Sequence, residues 1–208
     1  MNKKTASSEH WQPQFNRQDV EVLDDLLIAE SFYQLRELSV RHRSFSGESI
    51  SVKRDLIDKP NAVAVLLYDA ALATVVMVEQ FRIGALGQAK SPWLLEVVAG
   101  VVEPNESIES VAARECFEET GLRIQGLEHI YKFTPSPGGV REYIDLFCAR
   151  VDSTSAGGVH GLAAEGEDIK VHVLPAAEAF AMLKSGQIDN GIAIIALQWL
   201  QLNSQKIG

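Results

Sequence analysis

Residues 100–122, GVVEPNESIESVAARECFEETGL, constrain this chain more than any other stretch. No Gly or Pro falls between Ser107 and Thr120, so a helix can run through, and Gly121 suits the left-handed residue that ends one. Ile108, Val111, Ala112 and Cys116 recur at helical spacing and predict a buried stripe. Glu115, Glu118 and Glu119 stand at i, i+3 and i+4, crowding an adjoining face where like charges destabilise an isolated helix. Such a conflict between local and global preference is expected at functional sites. A hard divalent cation relieves it, because Mg2+ and Mn2+ take carboxylate oxygens. A solvated acidic helix face is the plainer alternative, and it explains each glutamate singly.

It does not explain the whole spacing. Gly100 is followed after five residues by Glu106, and after seven more by Arg114-Glu115. Cys116, Glu118-Glu119, Gly121 and Leu122 complete the pattern. Here the sequence resembles the Nudix hydrolases, with every fixed position of their motif filled. Cys116 stands where the family more often has an aliphatic residue, a departure that keeps a small buried side chain.

The chain has 208 residues, enough for one sizeable domain or a domain with a smaller appendage. Its net charge of −9 argues against nucleic acid as a partner, since phosphate backbones demand a basic face. Cys116 and Cys148 sit in apolar contexts and read as buried thiols rather than a disulfide or metal pair. The opening MNKKTASSEH has no apolar run, and no segment is long enough to span a membrane, so a cytoplasmic location is expected.

Residues 1–57 read as a separate N-terminal piece of β-structure, with strands expected at 20–23, 32–43 and 50–56. Such a meander has too little core to stand alone and must pack on the main domain or on a second subunit. Residues 58–208 form the main domain. Strands are expected at 62–68, 74–79, 93–98, 124–133, 142–151 and 169–174, and loops at 84–91 and 153–168. Pro175 starts a helix that Gly186 stops, and Asp189-Asn190 caps a last one. The fold class expected is α+β, a mixed β-sheet between helices with an N-terminal β subdomain.

Nudix enzymes hydrolyse a nucleoside diphosphate linked to another group. The resemblance implies Mg2+, or Mn2+, on Glu115 and Glu119 with the backbone carbonyl of Ala99, and Glu118 near enough to contribute. Arg114 can orient the glutamates by ion pairing, or be no more than a helix salt bridge. Glu106 and Gly100 take structural parts, Glu106 also suiting the helix N-terminus. Outside the helix, Glu165 and Glu167 are candidate bases on a mobile loop; taken alone they read as solvated loop charges.

The likeness extends over residues 35–205 to the ADP-ribose pyrophosphatases of this family. Pro137 lies sixteen residues past Gly121, and residues 136–139 (SPGG), 160–169 (HGLAAEGEDI) and 188–200 (IDNGIAIIALQWL) carry it. It implies Glu165 as catalytic base, Glu167 as metal ligand, Arg82 on a phosphate, Glu142 on the terminal ribose and Arg54 on the adenosine side from a partner chain. It also implies a homodimer, with AMP and ribose 5-phosphate as products. GDP-mannose or another nucleotide sugar is the rival substrate, and a non-catalytic ADP-ribose sensor the rival class.

Overall fold

The computed structural model describes residues 11–87, 90–204 and 207. The opening segment 1–10, in which no leader is expected, lies outside them, as does part of the loop expected at 84–91. The chain divides into two compact units, one of residues 1–58 with 138–140 and the other of residues 59–137 with 141–208.

In the first unit β1 (Val20–Glu30), β2 (Gln34–Arg43) and β3 (Ser49–Asp58) form an antiparallel meander, with the short β9 (Val140–Arg141) beside β3. β1 is much longer than expected, reaching Glu30, and β2 begins at Gln34 rather than 32. Irregularities in the β1–β2 register between Val22 and Asp24 and between Leu27 and Ala29 break the period-two pattern that would have shown it. Ser44 is the one buried residue among those described in this unit.

The second unit is built on β4 (Ala62–Asp69) and β5 (Thr74–Phe81), a hairpin of apolar strands. Its sheet runs in the order β11 (Val159–His160), β12 (Ile169–Pro175), β5, β4, β10 (Ile144–Arg150), β8 (Gln125–Phe133). β4 and β10 are parallel and the remaining pairs antiparallel, so the sheet is mixed. The single strand expected at 93–98 is two: β6 (Trp93–Glu96) pairs with β5, and β7 (Val98–Val101) pairs with β4. Its apolar run does not show the break, because the segment shifts from one neighbour to the next while staying buried at Val97.

Alternation along β4 sends its side chains to two cores. Val63, Val65 and Leu67 pack with Val111, Ala112 and Cys116 of α1 (Ile108–Thr120). Ala64, Leu66 and Tyr68 pack on the other face with residues of α2 (Ala176–Ser185) and α3 (Gly191–Asn203). A mixed sheet between helices results, the α+β architecture expected, and it leaves the charged side of α1 beside β7.

Candidate active site

α1 is fixed at both ends by its own sequence. Ser107 caps the start, its side chain accepting from the Ser110 N–H at 3.2 Å. Gly121 closes the helix at φ +72°, its N–H donating to the Phe117 carbonyl. With Val111, Ala112 and Cys116 buried, Glu115 and Glu119 are turned toward β7. Gly100 of β7 makes room for the first of them: a Cβ there would lie 1.9 Å from Glu115 Oε1. Gly100 lies inside β7, and its role is close approach.

Arg114 binds three carboxylates, Glu115 Oε1 and Glu118 Oε2 at 2.9 Å and Glu106 Oε2 at 3.5 Å. Glu106 also accepts from the Glu103 N–H, bracing the turn before α1. Glu119 is 2% exposed, and its Oε2 is buried without a hydrogen-bond partner, though the Ala99 backbone supports the carboxylate. Burial first, then the charge of Glu115, pushes the Glu119 carboxyl up to about 8, with Arg82 opposing. Burial likewise raises Glu115 to about 7, and Glu118 and Glu167 add repulsion against the pull of Arg114.

Glu167 belongs to this electrostatic group, since its charge acts on both helix glutamates. The loop carrying it is tied to the helix by the Gly161 N–H, which donates to the Glu118 carbonyl at 3.3 Å. Glu167 Oε2 accepts from the Leu162 N–H at 2.9 Å. Glu165 ends a 3-10 turn, Ala163–Glu165, and is exposed. Arg82 grips Glu96 Oε2 with Nε and Nη2, both at 2.8 Å. Glu142 is 8% exposed and paired with Lys59 at 2.9 Å. Pro137 lies in an exposed turn. Arg54 lies on β3 of the first unit, its guanidinium donating to the Lys53 carbonyl. Glu96 and Gln80 also belong to the site although neither stands out in the sequence; each is a polar side chain within an apolar strand, and that interruption is its one signal.

Among the described residues no three acidic, histidine or cysteine side chains converge as a ready metal cage, and Glu115 and Glu118 are turned to Arg114. The donor set nonetheless fits a hard divalent cation. It offers carboxylate oxygens, one of them buried and unpartnered, in a place where burial and mutual repulsion work against charge.

A glutamate-bearing helix laid against a glycine strand, in a mixed sheet covered by helices on both faces, makes an α+β fold with an acidic centre. A family model of the NUDIX domain matches residues 58–194. The chain is 47% identical over 197 residues to the ADP-ribose pyrophosphatase of Haemophilus influenzae, covering 93% of this chain and 91% of that protein. It is 41% identical over 194 residues to the ADP-ribose pyrophosphatase of Escherichia coli K12, covering 93% of each. To the GDP-mannose pyrophosphatase of Cronobacter sakazakii it is 34% identical over 185 residues, covering 88% of this chain and 96% of that protein. The chain belongs to the Nudix family and is a hydrolase.

Proposed function

We propose that the protein hydrolyses ADP-ribose to AMP and ribose 5-phosphate in a Mg2+-dependent reaction. The observation that carries this reading is the unpartnered Oε2 of Glu119, buried beside Glu115 where β7 makes room. Glu115, Glu119 and Glu167, with the Ala99 carbonyl, would hold the ion, and Glu118 stands in reserve through Arg114. Held there, a divalent ion would supply Lewis-acid chemistry, lowering the negative charge on the pyrophosphate oxygens and the pKa of bound water. Glu165, exposed on its turn, takes the proton of the attacking water. Arg82, held by Glu96, offers its remaining N–H donors to a phosphate oxygen. Glu142 accepts from the terminal ribose, Arg54 serves the adenosine side, and Gly100, Glu106, Arg114, Gly121 and Pro137 keep the frame.

The identities favour ADP-ribose over GDP-mannose, 47% against 34% at similar coverage. A reducing, cytoplasmic setting is supported by two free, buried cysteines, and no described helix is long and apolar enough to cross a membrane. The test is a panel of ADP-ribose, GDP-mannose and dinucleoside polyphosphates offered to the purified protein with Mg2+, products being separated by chromatography. ADP-ribose should give the highest kcat/KM, with AMP and ribose 5-phosphate in equal amounts. A higher kcat/KM on GDP-mannose overturns the substrate, and no turnover of any member overturns the reaction.

A further inference from the structure

Two buried side-chain polar atoms lack a hydrogen-bond partner among the described residues: Glu119 Oε2 and Gln80 Nε2. The cation site proposed above absorbs the first. The second has no explanation there, although Gln80 is only 7% exposed. A buried donor without an acceptor costs stability, and native folds keep few of them.

Its position is informative. Alternation along β5 puts Gln80 on the face of Val76 and Val78, the face that packs with α1. Val78 lies opposite Glu96 in the β5–β6 ladder, so Glu96 shares that face. Arg82, two residues beyond Gln80, folds back onto Glu96 Oε2, and its charge acts on Glu119. Gln80, Glu96 and Arg82 thus lie together, Arg82 links them electrostatically to Glu119, and one donor and one acceptor of the group are unpartnered. Burial raises the Glu96 carboxyl, and Arg82 and then the Gln80 amide pull it back, so Gln80 interacts with Glu96; its Nε2 nonetheless has no acceptor in full hydrogen-bonding geometry.

The two orphans want opposite partners. A carboxylate oxygen takes a cation, and an amide N–H takes an oxygen with free lone pairs. A pyrophosphate bridged to a divalent ion supplies both at once. A carboxamide also suits a site crowded with carboxylates, because it donates without carrying a charge. We propose that Gln80 is a substrate-binding residue whose Nε2 donates to an oxygen of the substrate's pyrophosphate, and that Glu96 is a positioning residue that holds the Arg82 guanidinium beside it. This rests on the reading that the substrate carries a pyrophosphate.

The test is Gln80→Met, which keeps the length of the side chain and deletes the donor. Melting temperature, steady-state kinetics on ADP-ribose and calorimetric titration of inorganic pyrophosphate with Mg2+ are measured beside wild type. Removal of a donor that has no partner in the free protein should leave Tm unchanged or raise it. KM and the pyrophosphate Kd should rise about ten- to a hundredfold, the scale of a hydrogen bond to a charged group. Glu96→Gln should raise the same two constants more than it lowers kcat, and Glu96→Asp should recover part of the loss. Wild-type constants in Gln80→Met overturn the proposal. So does a fall in Tm without a change in the pyrophosphate Kd, the signature of a group that only props Glu96, and so does failure of the variant to fold. Wild-type protein inactive on every nucleotide sugar overturns the reading of the reaction instead, while the pyrophosphate titration still decides the role of Gln80.

Discussion

At the scale of single residues the controlling fact is two carboxyl groups that the fold makes hard to ionise. Glu119 is raised from 4.5 to about 8 and Glu115 from 4.5 to about 7, burial leading in both. Between 4.5 and those values the unfolded chain releases protons that the folded chain retains. Stability of the metal-free protein therefore falls as pH rises through that window, at up to about 1.4 kcal/mol per pH unit for each group. Thermal melts in chelator from pH 5 to 8.5 should show Tm declining, and Mg2+ should restore most of the loss at the alkaline end. A Tm that climbs with pH in chelator would contradict the assignment. Glu119→Gln should flatten the decline, abolish most turnover and leave the fold intact; normal Mg2+-dependent turnover would remove Glu119 from the site. Glu165 carries a separate expectation, since it stands on an exposed turn outside α1. Glu165→Gln should lower kcat about 10²–10⁴-fold with ADP-ribose affinity little changed, the usual range for losing a general base. If Glu167→Gln loses kcat in its place, the two roles are exchanged.

At the scale of elements, the β4–β5 hairpin depends on one buried carboxylate. Asp69 is 4% exposed and accepts from the backbone N–H groups of Ala71, Leu72 and Ser153 and from the Ser153 hydroxyl. The Ser153 N–H leads in holding its carboxyl below the usual range, against burial. Its stabilising part is thus complete above the ordinary value of 3.8 and is lost as pH falls through the depressed one. Asp69→Ala strands buried donors and should cost about 2–4 kcal/mol in urea unfolding at pH 7, with kcat nearly unchanged. A cost near zero would mean that water replaces the carboxylate. Elements of this kind also show what a sequence makes legible. α1, α2 and α3 carry their ends in local residues, Ser107 and Gly121, Gly186, and Asn190, so their limits could be read directly. The full length of β1 does not show in the sequence because its register irregularities spoil alternation, and β6 and β7 look like one strand because a buried segment that changes neighbours keeps an unbroken apolar run. The glutamates of α1 were legible as a pattern for a related reason: one helix sets their spacing. The Arg82–Glu96 pair spans 14 positions, from just past β5 to β6, and Gln80 is brought to it by the β5–β6 pairing, so nothing local announces the cluster.

At the scale of the whole molecule, the N-terminal sheet leaves apolar surface that needs a cover. A three-stranded meander with one short added strand cannot bury two faces by itself, and this one buries Ser44 alone among its described residues. Its apolar side chains are correspondingly bare: Leu26 is 51% exposed, Ile28 53% and Phe32 70%, with Val22, Leu23 and Leu27 also exposed along β1. A patch of that kind on a free monomer is an association site or an aggregation liability. Self-association is the economical solution, because a two-fold contact presents the same apolar patch to itself. The protein is therefore expected to be a homodimer, with a mass by light scattering of twice the 22.8 kDa chain and a Tm that rises with protein concentration. Leu26→Asp with Ile28→Asp places charges on that sheet and should shift the population toward monomer at micromolar concentration. The second unit has two cores of its own, so its helices should persist in the dissociated variant, readable as retained far-ultraviolet circular dichroism. Monomeric wild-type protein at tens of micromolar, with a Tm independent of concentration, would show that the sheet is covered in some other way. A dimer unaffected by both aspartates would place the contact elsewhere on the chain.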